Sequence, residues 1–439
     1  MNHAEMLVDG QRILPALLAD IETAERFVHV SVFLFFRDPV GEEIAAVLMR
    51  KARAGVKVRV LLNLEKTAMG DPFSTGEKQM MRHDPNIHHD PTDVKPLCQA
   101  MTAAGIEVLD TNIDYDIERP VGNPRLVSIA AQIRGSISVD EMHIDHRKIV
   151  IVDGRVGYCG GANIGAQYMY HVAFDPLQDA QAEAEARKQA GLAEPWWKWH
   201  DSLTRFEGPI VADLDRHFRD RWVLDGGDEL PDEVAAPAAG PPPRGLAIGE
   251  ARIFANEPND EPNPVRELYL RLIREARGSI FIENPYLYHP VIAEALREAK
   301  AARPELEVVL IVPSARHNDN AFGQDAQEHE YARYLEAGIE LVEYQNHFNH
   351  LKTAVFDQRW SIHGSTNLNY RSLEDDKDFE LVVLVEDEGL ARWMLAQVRD
   401  VDRQHGRRIG HDDLHGTLAG LRKRVRDPRT IAMMAQRVL

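Results

Sequence analysis

The chain has 439 residues, of which 44% are hydrophobic and 28% are charged, and its formal net charge is −19. This length favours two to three domains, and the composition is typical of a globular protein rather than a disordered one. The acidic balance argues against nucleic acid as a partner, because proteins that bind the phosphate backbone usually show a basic surface.

Nothing at the start of the chain predicts insertion into a membrane. Residues 1–5 lack the basic-then-apolar order of a signal peptide. The longest mainly apolar run, residues 28–36, is far shorter than the roughly 18 residues that a membrane-spanning helix needs, so we interpret it as a buried strand. The sequence therefore predicts a cytoplasmic protein that is soluble or peripheral at the inner membrane.

Helical and strand patterns follow one another in the same order in two parts of the chain. The first series is a helix, a strand, a helix and a strand over residues 15–26, 27–36, 41–54 and 56–63. The second series is the same over residues 265–276, 279–283, 291–302 and 306–312. This repetition predicts a duplicated α/β unit, with helices covering both faces of a mixed, largely parallel sheet in an α/β/α sandwich.

A Pro/Gly-rich segment separates the two series. Residues 225–248 contain a Gly-Gly pair, an acidic stretch and three consecutive prolines, a composition that predicts an exposed linker. We therefore assign residues 1–224 to a first half and residues 249–439 to a second. Halves of this kind can pack about a pseudo-twofold axis with the active site at their interface.

Two insertions distinguish the first half. Residues 66–97 are polar and contain His83, His88, His89 and Asp90, which are zinc-ligand types. Their irregular spacing in a proline-rich loop favours solvated surface residues, and we predict neither a metal nor a cofactor. Residues 169–198 carry an Ala/Glu/Gln-rich helix and a tryptophan cluster. We interpret both insertions as walls of the substrate cleft.

The most specific signal is a motif that occurs twice with identical spacing. In the first copy, residues 146–163, the pattern is His-x-Lys, four residues, Asp, six residues and Gly-Gly-x-Asn. In the second copy, residues 350–367, Gly-Ser replaces Gly-Gly. Five fixed positions match by chance at any one place with a probability on the order of 10⁻⁷ when each residue type has a frequency near 5%. The repeat therefore has a functional or ancestral origin.

Each copy predicts a strand, a turn and a returning strand. Alternation along a strand places His146 with Lys148, and His350 with Lys352, on one face. Asn163 and Asn367 follow the glycines and can donate hydrogen bonds. Asp153 and Asp357 precede turn residues, which favours turn capping over catalysis.

An imidazole, an ammonium group and an amide that converge on one point suit a phosphate. The lysines and asparagines would neutralise its non-bridging oxygens, while the histidines would do the covalent and proton-transfer work. Two such sets suffice for displacement at a phosphodiester without a metal: one imidazole attacks phosphorus, and the other protonates the leaving alkoxide.

The paired motifs resemble those of the phospholipase D superfamily. Residues 364–372, residues 199–201 before 206–209, and residues 284–287 are similar to the bacterial cardiolipin synthase branch. The resemblance implies a phosphohistidine intermediate, with His146 as nucleophile and His350 as general acid. It also implies an acidic residue after each motif to hold each imidazole. We assign Asp201 and Glu380 by their positions before apolar strands.

Three further residues are predicted to contact substrate. They are Ser365, which adds a hydroxyl, Gly161, which stands in its place in the first copy, and Arg371. Asp378 occupies a position where the branch often has Asn.

The sequence thus predicts a metal-independent phosphodiesterase or phosphatidyltransferase that acts on glycerophospholipids. Two alternatives stay open: a nuclease of the same superfamily, and a non-catalytic module that binds a membrane or a protein. A metal hydrolase built on the loop of residues 83–90 is a further competitor. Residues 407–429 are basic in an acidic protein, and contact with an anionic membrane and a solvated helix face are equally good explanations.

Overall fold

The computed structural model describes residues 1–64, 67, 92–111, 115–116, 119–120, 143–171, 198–231, 243–258, 260–314, 321–374 and 378–413. Two large β-sheets dominate this part of the chain.

The first sheet has eight strands among the described residues, in the order β10-β1-β9-β8-β7-β2-β3-β4. The strands are β1 (Asn2–Val8), β2 (Phe27–Val32), β3 (Lys57–Leu62), β4 (Glu107–Asp110), β7 (Ile149–Val152), β8 (Val156–Gly160), β9 (Ser202–Glu207) and β10 (Leu246–Ile248). A separate two-stranded ribbon pairs β5 (Tyr115–Asp116) with β6 (Arg119–Pro120).

The second sheet also has eight strands in the described residues, in the order β11-β17-β16-β15-β12-β13-β14-β18. The strands are β11 (Glu250–Asn256), β12 (Ser279–Glu283), β13 (Glu307–Pro313), β14 (Glu340–Tyr344), β15 (Thr353–Phe356), β16 (Trp360–Gly364), β17 (Glu380–Glu386) and β18 (Gly406–Arg408). From β11 to β14 this order repeats that of the first sheet from β1 to β4, which confirms the duplication.

Helices connect and cover the strands. In the first half they are α1 (Gly10–Glu22), α2 (Pro39–Arg53), α3 (Lys95–Ala103) and α4 (Ile210–Leu224). In the second they are α5 (Pro264–Glu275), α6 (Pro290–Ala302), α7 (Ala321–Glu336), α8 (Tyr370–Leu373), α9 (Glu388–Met394) and α10 (Asp400–Gln404). A π-helical turn, Leu395–Arg399, joins α9 to α10, and a 3₁₀ turn follows at His411–Asp413.

Alternation along the strands sends side chains to two different cores. Val28 and Val30 of β2 pack in a cluster with the apolar faces of α1 and α2. Their neighbour Phe27 points the other way, into a cluster that both sheets share with α4 and α9. Residues of β12 and β17, such as Phe281 and Val383, enter this shared core from the second sheet. The two halves are therefore joined through a common apolar interior.

The predicted fold, a duplicated α/β unit with two mixed sheets, is confirmed, but the expected proportion of parallel strands needs correction. Among the described strands of the first sheet, β2-β3 and β3-β4 are the parallel pairs. The other pairings are antiparallel. The two strands of the motif, β7 and β8, form a hairpin, and β1 pairs with β9. The predicted linker also differs at its end, since Leu246–Ile248 pairs with β1 as an edge strand.

Within the part of the chain that the structure describes, no helix is both long enough and apolar enough to cross a membrane.

The motif aspartates lie in the turns between the paired strands. Asp153 has a φ of 53° and Asp357 a φ of 51°. The Asp153 carboxylate accepts hydrogen bonds from the backbone N–H groups of residues 25–27, at 2.8 to 2.9 Å. Asp357 does the same for residues 277–279. Each aspartate thus joins its turn to the start of a central strand. It lies at the end of the motif strand, whereas the lysine lies before the start of that strand.

Candidate active site

The predicted site residues lie at one end of the central strands in each sheet. His146 and Lys148 immediately precede β7, Asn163 follows β8, and Asp201 immediately precedes β9. Because β7, β8 and β9 are antiparallel neighbours, these positions come to the same edge of the sheet. The second sheet repeats the arrangement at β15, β16 and β17.

Each histidine is held by a carboxylate from the other half of the chain. His146 Nδ1 lies 2.9 Å from Glu380 Oε1, and His350 Nδ1 lies 2.6 Å from Asp201 Oδ2. Both carboxylates are fully buried, and the two imidazoles are 13% and 7% exposed. The contact occupies Nδ1 and leaves Nε2 as the nitrogen that can reach a substrate.

Backbone hydrogen bonds between the halves bring each carboxylate to the histidine of the other half. His146 N donates to Phe379 O at 3.0 Å, and His350 N donates to His200 O at 2.8 Å. The residue before each histidine therefore forms a parallel bridge with the residue before the opposite carboxylate, Asp145 with Phe379 and Asn349 with His200. These reciprocal bridges place the two motifs at a single interface.

The lysines lie beside their own histidines. Lys148 Nζ donates to the carbonyl oxygen of His146 at 2.5 Å. Lys352 Nζ contacts both the carbonyl oxygen and Nε2 of His350, each at 2.9 Å. Burial lowers the pKa of Lys148 to about 7, against the partly opposing charge of Glu380.

Burial and neighbouring ammonium groups lower the pKa of both imidazoles. Burial lowers the pKa of His146, and the charge of Lys148 lowers it further, while Glu380 acts in the opposite direction. The pKa of His350 is lowered well below its usual range by burial and by Lys352, Lys148 and His146. Groups of one motif thus lie within electrostatic reach of the histidine of the other.

The asparagines differ between the copies. Asn163 Oδ1 accepts a hydrogen bond from Leu34 N at 3.0 Å, which fixes the amide beside the loop after β2. Asn367 is 8% exposed, and its Oδ1 has no hydrogen-bond partner among the described residues. Both lie at the site edge, where an amide can face a phosphate oxygen.

The two carboxylates have different surroundings. Glu380 accepts hydrogen bonds from the hydroxyl groups of Ser365 and Ser372, the latter at 2.6 Å, in addition to His146. Burial alone would raise the pKa of Glu380, but His146, Lys148 and Ser365 outweigh it and lower the pKa. Asp201 accepts from the N–H of Ser202 at 2.7 Å, and burial raises its pKa to about 7.

The glycine of the first copy makes room for the shorter carboxylate. A Cβ at Gly161 would lie 2.3 Å from Asp201 Oδ1. In the second copy Ser365 occupies the matching position, and its hydroxyl donates to Glu380. Both residues of this pair, which the sequence predicted to contact substrate, therefore lie against the carboxylates that hold the histidines.

Arg371 also has a different environment from the predicted one. Its Nε lies 3.0 Å from Asp378 Oδ2, its Nη2 contacts Oδ1, and the pair is buried. Asp378 in turn accepts from the N–H of Ile144 at 3.0 Å, two residues before His146. Since the guanidinium is directed to Asp378, we assign Arg371 to positioning the loop that carries His146.

Aromatic rings surround the two histidines. Trp199 has its ring centroid 4.9 Å from that of His350, and Tyr168 and Phe348 lie 5.7 and 5.5 Å from it. Phe33 lies 5.5 Å from His146. Of these rings, the sequence pointed only to Trp199, which lies in the family-like segment of residues 199–201. These rings limit the access of water to the imidazoles.

Several sequence predictions concern residues outside the described ones. They are the loop with His83, His88, His89 and Asp90, most of the insertion after Tyr170, and the basic segment after Asp413.

Comparisons with known proteins agree with this geometry. A family model described as "Cardiolipin synthase, PLD-like domain" matches residues 17–173 and 269–401, which together are more than half of the chain. The chain belongs to this family. The predicted resemblance to the cardiolipin synthase branch of the phospholipase D superfamily is thereby confirmed.

Members of the cardiolipin synthase family align along most of the chain. Cardiolipin synthase of Geobacillus kaustophilus is 25% identical over 378 residues, which cover 84% of this chain and 61% of that protein. The probable cardiolipin synthase YwiE of Bacillus subtilis is 26% identical over 411 residues, covering 93% and 67%. The chain thus spans about two thirds or less of the length of these relatives.

The fold has a counterpart among solved structures. Phosphatidylserine synthase of Haemophilus influenzae superimposes with a TM-score of 0.64 at 13% identity, covering 100% of this chain and 95% of that one. At this identity the likeness concerns the fold alone.

Proposed function

We propose that the protein transfers phosphatidyl groups between glycerophospholipids through a covalent phosphohistidine intermediate. The observation that carries this proposal is the reciprocal exchange of carboxylates, Glu380 to His146 and Asp201 to His350. It directs one Nε2 from each half toward the interface, where the two can act on opposite sides of one phosphorus atom.

In the first half-reaction, His146 Nε2 attacks phosphorus and the bond from phosphorus to the head-group oxygen breaks. His350, which carries a proton on both ring nitrogens at this step because the anionic phosphate favours the imidazolium form, gives its Nε2 proton to that oxygen, so the head group leaves as a neutral alcohol. His146 becomes a cationic phosphohistidine. Glu380, which has three side-chain donors and a lowered pKa, remains an anion and stabilises that cation.

In the second half-reaction, an acceptor hydroxyl loses its proton to His350 and forms a new bond to phosphorus. The bond from phosphorus to Nε2 then breaks, which restores His146. Lys148, Lys352, Asn163 and Asn367 neutralise and hold the non-bridging oxygens through both steps. Because the two ammonium groups supply positive charge and the histidines move the protons, this chemistry needs no metal at the phosphate.

The acceptor decides between transfer and hydrolysis. An alcohol on a second glycerophospholipid gives a transferred phosphatidyl group, whereas water gives phosphatidic acid. The aromatic rings beside both histidines and the names of the aligned relatives favour transfer. Since such substrates reside in bilayers, we propose that the protein works in peripheral contact with a membrane.

A lipid-product assay tests the proposal. The purified protein is incubated with vesicles of phosphatidylglycerol, phosphatidylethanolamine and phosphatidylcholine, with and without added glycerol, and products are identified by mass spectrometry. We expect a lipid with two phosphatidyl groups, and its suppression by glycerol in favour of phosphatidylglycerol. A single-stranded oligonucleotide is offered in parallel.

The control is His146→Ala, with its folding checked by circular dichroism. Lipid turnover that persists in this variant would refute the assigned nucleophile. Oligonucleotide cleavage without lipid turnover would replace the proposal with a nuclease.

A further inference from the structure

Three buried side chains behind the pair of His350 and Asp201 have polar atoms without hydrogen-bond partners. They are His200 Nε2, Glu283 Oε2 and Asp402 Oδ2. These residues are at most 5% exposed. One ligand atom from each lies within 4.8 Å of the other two. Since a buried polar group without a partner is destabilising, and more so when it is charged, a cluster of three requires an explanation.

The histidine of this cluster is oriented for a ligand. His200 Nδ1 lies 2.7 Å from Asp9 Oδ1, and the ring stacks on Tyr344 with centroids 4.8 Å apart. Its Nε2 lies 3.2 Å from Asp402 Oδ2 without the alignment of a hydrogen bond. A carboxylate on one ring nitrogen with the other nitrogen available is the usual arrangement of a metal-binding histidine.

Neither carboxylate of the cluster is paired with a lysine or an arginine among the described residues. Glu283 Oε1 accepts from Asn349 Nδ2 at 2.5 Å, which leaves Oε2 as the unpaired oxygen. A metal ion held by all three side chains would supply a fixed positive charge there.

The equivalent place in the first half contains such a cation. There the helix after the carboxylate strand contributes Arg221, whose Nε lies 3.4 Å from Asp145 Oδ2. Its guanidinium lies 4.4 Å from the ring centroid of Phe379, the residue that matches His200. Ser31, which pairs with β7 as Glu283 pairs with β15, carries no charge. The second half thus has metal ligands where the first half has an arginine.

We propose that His200, Glu283 and Asp402 bind one divalent transition-metal ion, with Asp9 orienting His200. A nitrogen and two carboxylate oxygens suit zinc, manganese or iron, and a water completes the shell. The 3.2 Å between His200 Nε2 and Asp402 Oδ2 is close to the ~3.4 Å that tetrahedral bonds of about 2.1 Å produce.

This ion would support the catalytic pair without touching the phosphate. Asn349, which Glu283 holds, accepts from the N–H of Leu351 at 3.1 Å and immediately precedes His350. His200 immediately precedes Asp201. The ion would therefore fix both chain segments that bring Asp201 to His350, and its binding can be measured independently of phosphatidyl transfer.

Metal content of the full-length protein tests the site. The protein is produced with zinc, passed through a desalting column and examined by inductively coupled plasma mass spectrometry. We expect about one ion per chain in the wild type, and less than about a tenth of that in Asp402→Asn, which removes one of three protein ligands. Asp400→Asn, on the same helix with its carboxylate 44% exposed, is the matched control and should keep the ion.

A second variant guards against a folding defect in Asp402→Asn. Glu283→Gln keeps an oxygen for Asn349 and places an amide N–H₂ at the unpaired position, where it can donate to Asp402. This variant should fold and bind no zinc. Reconstitution with Co²⁺ should give visible d–d absorption in the wild type but not in Glu283→Gln.

Two outcomes would overturn the proposal. If the wild type retains no zinc and Co²⁺ gives no absorption, the three groups share protons instead of a metal. If Asp402→Asn and Glu283→Gln bind zinc as well as the wild type does, the ion lies elsewhere in the chain.

Discussion

The residues behind the two histidines differ more than the histidine motifs themselves. Behind His146, Arg147 and Arg221 neutralise Asp145 through buried ion pairs, and the pKa of Asp145 is lowered to about 2 by these two charges against the effect of burial. Behind His350, the matching residue is Asn349, and the surrounding groups are ligand types with no lysine or arginine paired to them in the described part of the chain. The two motifs are thus alike, whereas the residues behind them differ.

The carboxylates that hold the histidines diverged in the same way. The longer Glu380 reaches His146 and accepts from Ser365, whereas the shorter Asp201 lies against Gly161 and leaves no space for a side chain. The Ser/Glu and Gly/Asp combinations are therefore two ways of fitting a carboxylate beside a histidine. This contrast suggests that the two histidines have unequal tasks.

Removal of either imidazole should have the largest effect, and the leaving group should separate the two roles. With a natural lipid, His146→Ala and His350→Ala should each lose roughly 10⁴-fold or more in kcat. With a phosphatidyl nitrophenol ester, the leaving group needs no proton, so His350→Ala should still release a burst of nitrophenol. His146→Ala should give none. A burst in His146→Ala alone would reverse the assignment of nucleophile and acid.

Replacement of Glu380 should have the next largest effect. Glu380→Gln should lower kcat by roughly 10²- to 10⁴-fold, because the imidazole loses its orienting anion. Since that carboxylate raises the pKa of His146, its removal should lower this pKa further. The acid limb of the kcat/KM profile, which reports protonation of the nucleophile, should then move to lower pH.

The control for this profile is Glu386→Gln, at the opposite end of β17, which should leave the limb in place. An acid limb that moves upward or stays unchanged in Glu380→Gln would show that His146 is not the group titrating there.

Substitutions of Gly161 and Ser365, the residues beside the two carboxylates, should have smaller effects on activity. Gly161→Ala inserts a Cβ 2.3 Å from Asp201 Oδ1 and should reduce the free energy of unfolding by about 1–3 kcal/mol, with a loss of activity. Ser365→Ala removes one donor to Glu380 and should lower kcat by roughly 10-fold with little change in stability. Chemical denaturation and initial rates measure both effects.

Gly410→Ala, where a Cβ would meet nothing closer than 3.7 Å, is the stability control. If Gly161→Ala proved as stable and active as the wild type, the steric account of the Gly/Asp combination would be wrong.

Much of the fold could be predicted from the sequence because its signals are local. The helix and strand patterns of the two halves, their order and the turn at Asp153 depend on residues that are close in the chain. The excess of antiparallel strands and the edge strand Leu246–Ile248 could not be predicted in this way, since strand pairing is decided by distant segments.

The site was predicted as a set of residue types but not as a set of contacts. Ser365 and Arg371 were expected at the substrate because they carry donors near the motif. In the fold those donors are directed to Glu380 and Asp378. A hydroxyl or guanidinium near a motif has the same sequence signal whether it binds a ligand or a buried carboxylate.

By itself the sequence determined the two motifs, because alternation along a strand is enough to place each histidine beside its lysine. Only the tertiary structure decided which carboxylate serves which histidine. Glu380 and His146 are 234 residues apart, and Asp201 and His350 are 149 apart. Contacts at such separations depend on how the sheets pack, and no local pattern encodes them. The exchange between halves, and the unpaired ligands behind one of them, follow from that packing.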